Sequence, residues 1–118
     1  MNNKDITEAF WQAMDQQAWD ELPAFFHDNA LISWPNTKEC FSVNEFTAVN
    51  RNYPGDWAIR IDKILDCGDT IITVTALRNR NSSLAFHATS FFTYADNKII
   101  SLEEYWGEDG TPPDRELD

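Results

Sequence analysis

Apolar positions recur along this chain at two periods, first helical and then alternating. Ile6, Phe10 and Met14 stand at i, i+4 and i+8 and make one apolar stripe, which predicts an amphipathic helix. Asp5 is placed to cap it, with Glu8 three residues later at capping-box spacing. Trp11 lies off the stripe and is expected on a second surface, an interface or the mouth of a pocket. Leu22, Phe25 and Phe26 mark a short second helix over 19–26, with Pro23 near its first turn, where a missing N–H is tolerated. His27-Asp28-Asn29 is expected to break that helix, and 30–34 reads as a strand ending before Pro35. A loop over 36–41 follows. Ser42-Val43-Asn44-Glu45 is a second capping-box spacing and opens a third helix through Phe46 and Val49 to about Arg51. Pro54-Gly55 ends it.

The second half changes period. Strands are expected over 56–66, 70–78, 84–94 and 99–106. They are separated by turns at Cys67-Gly68-Asp69, at residues 79–82 and at Ala95-Asp96-Asn97. Four successive strands with short turns predict an antiparallel meander, and helices gathered on one face of it make an α+β domain. The length suits one domain over 1–118, with an acidic tail at 107–118. In the last strand, alternation puts Leu102, Glu104 and Trp106 on one face and Ser101, Glu103 and Tyr105 on the other. A carboxyl between Leu and Trp is costly to bury unless it is used there.

Composition narrows the partners. With 42% hydrophobic and 14% aromatic residues the chain is of globular type. Nine basic against twenty acidic residues give a net charge of −11, so the basic footprint of a nucleic-acid binder is missing, and anionic membrane surfaces are disfavoured. No apolar run approaches a membrane span, and the first residues lack a signal-peptide pattern. Cys40 and Cys67 stand far apart outside any CxxC spacing, which suits reduced thiols and a cytoplasmic location. His27 is expected at a helix end, where a cation suits the dipole. His87 alternates with Ala85, Thr89 and Phe91, on the face opposite Ser90. Two such histidines do not make a metal site, and no Gly-rich phosphate loop or GxSxG elbow is present. Neither metal nor cofactor is expected.

Several stretches, in this order, carry a resemblance. Trp19-Asp20-Glu21-Leu22 through Phe26-His27-Asp28-Asn29-Ala30 looks like a helix-to-first-strand junction. His87-Ala88-Thr89-Ser90-Phe91-Phe92 and Asn97-Lys98-Ile99-Ile100 look like paired late strands, and Glu104-Tyr105-Trp106-Gly107 with Asp109-Gly110 looks like a chain ending. Together they resemble the nuclear transport factor 2-like superfamily, which includes ketosteroid isomerases and SnoaL-like polyketide cyclases. The resemblance implies a cone-shaped curved antiparallel sheet wrapped around the N-terminal helices, an internal pocket, and a homodimer through the outer sheet face. Ketosteroid isomerases need a carboxylate base and an oxyanion hole of a tyrosine and a protonated Asp. Matched residue by residue, those positions are held here by Trp34, Phe10 and Ser90. With no base, ketosteroid isomerase activity is not expected.

The resemblance turns the Glu104 face, and the face of Phe86, Ala88, Ser90 and Phe92, into the cone. Glu104 is then the candidate acid or base, with Ser90 and Tyr53 as orienting polar groups. Trp34, Phe46, Trp57, Phe92 and Trp106 are candidate walls of a pocket for a small hydrophobic or aromatic molecule. The alternatives are structural: Glu104 in an ion pair with Arg78 or Arg60, Ser90 bonded to backbone, and the aromatics serving as plain core. The expected function is therefore small-molecule binding, with a cyclase or isomerase reaction at Glu104, or else a carrier, sensor or protein-association module.

Overall fold

The computed structural model describes residues 1–117 and places two α-helices, one 3-10 helix and six strands. The first helix, α1, runs Asn3–Asp15. Its cap is Asn2, three residues before the expected cap; its side chain accepts from the Asp5 N–H at 2.8 Å, and Asp5, the third helical residue, closes the capping box. The stripe residues Phe10 and Met14 are buried. The expected second helix is a 3-10 helix, Trp19–Phe25, with Pro23 inside it. His27-Asp28-Asn29 does not break the chain there: β1 already starts at Phe26 and runs to Trp34. His27 is consequently a strand residue, its Nε2 bonded to the Ala95 carbonyl at 2.7 Å, and has no helix dipole to meet. The expected loop contains a short strand, β2, Glu39–Phe41. The helix α2 spans Val43–Arg51, with Ser42 and Glu45 forming the expected box.

Strands β3 (Trp57–Cys67), β4 (Thr70–Asn79), β5 (Ala85–Ala95) and β6 (Lys98–Glu108) form the expected meander. The full sheet has the order β2-β1-β6-β5-β4-β3. It is mixed rather than antiparallel, because β1 pairs with β6 in parallel, Ile32 opposite Leu102. A parallel neighbour needs a long crossover, and here the chain from β2 to β5 supplies it.

Bulges bend this sheet and set its inner face. The β3–β4 register slips at Asp62, so Ile59, Ile61 and Ile64 all pack on the core although the last two are three residues apart. The β5–β6 register slips at Ile100, so Ile99 and Leu102 both point inward and are fully buried. The hollow is filled at one end by Phe10, Leu22, Phe26, Phe46 and Phe92. Phe10 meets Trp11, Phe25, Phe26 and Phe92 edge-on, with ring centroids 5.1–5.9 Å apart. No helix among the described residues is long and apolar enough to cross a membrane.

Candidate functional site

The other end of the hollow is left open. A cavity of about 200 Å³ lies between α1, the end of α2 and the inner faces of β3 to β6. All five tryptophans of the chain line it: Trp11, Trp19, Trp34, Trp57 and Trp106. Four ring contacts carry a continuous aromatic wall from the depth to the mouth. Trp34 meets Trp106 at 5.6 Å, Trp106 meets Phe86 at 5.4 Å, Phe86 meets Trp57 at 5.6 Å, and Trp57 meets Tyr53 at 5.9 Å. Several of these rings are anchored. The Trp57 Nε1–H donates to the Pro54 carbonyl at 3.1 Å, and the Trp11 Nε1–H to the Thr73 hydroxyl at 3.1 Å. Gly55 takes φ +111°, and a Cβ there would come within 2.8 Å of Trp57 Nε1, so glycine lets the chain pass close to this indole.

Glu104 stands at the depth of the wall and is 7% exposed. Its Oε1 accepts from the Trp34 Nε1–H at 3.0 Å and its Oε2 from the Ser90 hydroxyl at 2.9 Å. Register explains the second contact, since Ser90 and Glu104 are cross-strand partners on β5 and β6. Burial pushes the carboxyl above its ordinary range, and the two donated hydrogen bonds pull it back only in part. Neither alternative ion pair forms. Arg60 is held by Asp62 at 2.7 Å outside the cone, and Arg78 is exposed. The one cationic side chain lining the cavity is Arg51 at the mouth, 3.4 Å from Asp20.

The expected site residues thus divide. Glu104, Trp34, Trp57, Trp106 and Tyr53 meet at one cavity, Tyr53 at its rim and 44% exposed. Ser90 lies behind the wall as a fully buried support of Glu104. Phe46 and Phe92 belong to the core: Phe92 packs on Phe10 and Trp11, and Phe46 backs Trp34 at 6.2 Å. Trp11 is 4% exposed, so it forms the cavity floor and leaves the surface entirely. Sequence reasoning missed Trp19, Phe86 and Leu77 as lining. Phe86 shares the parity of Ser90, so its inward face was legible, whereas Trp19 reaches the cavity only through the packing of the 3-10 helix.

Two of the three positions that would carry isomerase groups, Trp34 and Ser90, here donate to a carboxyl placed on β6. The third, Phe10, is sealed in the core. Among the described residues no group of three metal-ligating side chains converges.

A model of the SnoaL-like domain matches residues 7–102. No curated protein matches the chain. Solved structures do. A ketosteroid isomerase candidate from Kribbella flavida superposes with a TM-score of 0.84 at 19% identity, over 96% of this chain and 83% of its own. A LEH-like epoxide hydrolase from M. tuberculosis does so at 0.73 and 18%, over 89% and 82%. A Catenulispora acidiphila protein with a ketosteroid isomerase-like fold, in complex with trimethylamine, does so at 0.70 and 15%, over 85% and 83%. These identities establish the shared fold, and with the family model matched over most of its length this chain belongs to the SnoaL-like domain family.

Proposed function

We propose that this chain binds a small, largely apolar molecule in the tryptophan-lined cavity and that Glu104 exchanges a proton with it. The observation that carries this reading is a buried carboxyl at the end of an aromatic wall, held by two neutral donors. A carboxyl whose pKa is raised by burial keeps its proton to higher pH than an exposed one and can give it up and take it back, which is the requirement for isomerisation, ring closure or epoxide opening. Trp34 and Ser90 would act as positioning residues that fix both oxygens. The fold hosts an epoxide hydrolase and a trimethylamine complex elsewhere, which is consistent with small ligands in this hollow. The cavity is smaller than the roughly 300–1,000 Å³ of drug-sized sites, which favours a ligand of one ring or a few carbons. The ketosteroid isomerase reaction is not proposed, because Trp34 and Phe10 replace its base and tyrosine.

The test is tryptophan fluorescence and thermal shift against small aromatic, polyketide-like and terpenoid compounds, repeated with Trp106→Phe. A saturable response is expected, weakened about tenfold by the substitution. A flat response across the panel, with both proteins folded, would sink the pocket reading. Binding without turnover would move the chain to the alternative role of carrier or sensor.

We also propose a homodimer through the outer sheet face. Ile72 and Val74 on β4, Phe91 on β5 and Tyr105 on β6 form a half-buried to exposed apolar strip there, and Leu31 on β1 is 58% exposed. Sedimentation velocity should give twice the chain mass, and Phe91→Lys should halve it. A wild-type monomer at micromolar concentration would remove the proposal.

A further inference from the structure

The charge pattern of the cavity selects among small molecules. Indole faces carry negative quadrupole density and are the strongest of the aromatic partners for a cation. Here five indoles, one phenol and one phenylalanine ring surround a hollow in which Glu104 is the only acidic side chain. No lysine, arginine or histidine touches that carboxyl; its partners are an indole N–H and a serine hydroxyl. Arg51 stays at the rim, drawn outward by Asp20. A site for a wholly neutral apolar ligand would lose nothing by having Gln or Leu at this position. A carboxyl without a counter-charge inside a box of π faces is instead complementary to a positive ligand, which would neutralise it where solvent is displaced.

Resting on the cavity reading above, but with Glu104 as a counter-ion in place of a proton donor, we infer that this cavity is built for an organic ammonium ion, a tertiary or quaternary amine head, with the tryptophans as its cage. The volume of about 200 Å³ admits such a head and its first carbons. The aromatic wall from Trp106 through Trp57 to Tyr53 would lead the rest of the ligand to the mouth.

Binding must then depend on pH. A quaternary ammonium has no proton of its own, so its affinity reports Glu104 ionising. It should rise as pH rises through the elevated range of this carboxyl and then level off. Few other groups could imitate this. Elements α1, β1, β3, β4 and β5 line the cavity with uncharged side chains. On α1, Asp15 points away, accepting from the Ile59 N–H at 2.8 Å and lying 3.7 Å from Arg80. At the mouth stand Arg51, paired with Asp20, and the Tyr53 hydroxyl.

The experiment is calorimetric titration with choline and with its neutral isostere 3,3-dimethylbutan-1-ol, over a pH series running from the ordinary carboxylate value of 4.5 to the alkaline side. Choline is expected to bind about tenfold or more tightly than the isostere at the alkaline end, and to lose that advantage at the acid end. Glu104→Gln should abolish the preference and its pH dependence while still binding the isostere, which also verifies that the variant is folded. If the isostere binds as well as choline, or if Glu104→Gln retains the preference, the ammonium inference falls and the pocket reading stands. If neither molecule binds at millimolar concentration, both fall.

Discussion

Phe10→Ala is expected to lower unfolding stability by about 3–5 kcal/mol, the range for deleting a buried aromatic side chain. Phe10 is fully buried and meets four other rings edge-on, so its loss removes contacts with α1, the 3-10 helix, β1 and β5 at once. Those neighbours are pinned from separate elements and cannot collapse together into the space, which leaves a cavity. Against a total of roughly 5–15 kcal/mol for a domain, such a loss would leave little margin. Urea unfolding followed by tryptophan fluorescence would show a lower midpoint with an unchanged slope. A surface control outside the proposed dimer face, Leu117→Ala, should stay within about 0.5 kcal/mol. A loss below about 1 kcal/mol at Phe10 would contradict a closed core at this end of the cone.

Glu104→Gln should do the opposite and stabilise the protein at neutral pH while removing its function. The Glu104 carboxyl has its folded-state pKa raised above the unfolded value near 4.5, because burial penalises the charged form. Below that value both states hold the proton and the group contributes its full stability. As pH rises from the unfolded value through the raised folded one, the unfolded chain sheds its proton first, and stability is lost. Glutamine does not titrate. Its carbonyl can still accept from Trp34, and its amide can donate to the Ser90 oxygen in place of the reversed bond. The variant should therefore match the wild type at acid pH and exceed it increasingly above, by about 1–3 kcal/mol, the scale measured for unrequited burial of a polar group. Thermal melts of both proteins across pH measure this, and the difference between them cancels the titration of the other acidic residues. A variant less stable than the wild type at neutral pH would show that the ionised carboxylate is a structural partner rather than a group held at a cost for function.

The split between what was legible and what was not follows the range of the interactions. Ser42-x-x-Glu45 announced the start of α2 because a capping box closes within four residues. Likewise the stripe of Phe10 and Met14 and the alternation of Leu102, Glu104 and Trp106 marked buried faces, since each depends only on the local period of its element. The 3-10 form of Trp19–Phe25 and the early start of β1 at Phe26 were not legible. There Leu22 and Phe26 are buried by α1, α2 and the sheet, and that packing overrides the local turn signal of His27-Asp28-Asn29.

The site shows the same division more sharply. That Glu104 shares a face with Trp106 was determined by the sequence alone, through strand geometry. That its oxygens meet Trp34 and Ser90 was decided by the parallel pairing of β1 with β6 and the register of β5 on β6, which join residues 70 and 14 positions apart. The composition showed five tryptophans, but only the tertiary structure brought them from α1, the 3-10 helix, β1, β3 and β6 to one cavity. Local periodicity specifies which way a side chain points. Which side chains it meets depends on pairing register and on the bulges at Asp62 and Ile100, and these are settled by non-local packing that no short window of the chain contains.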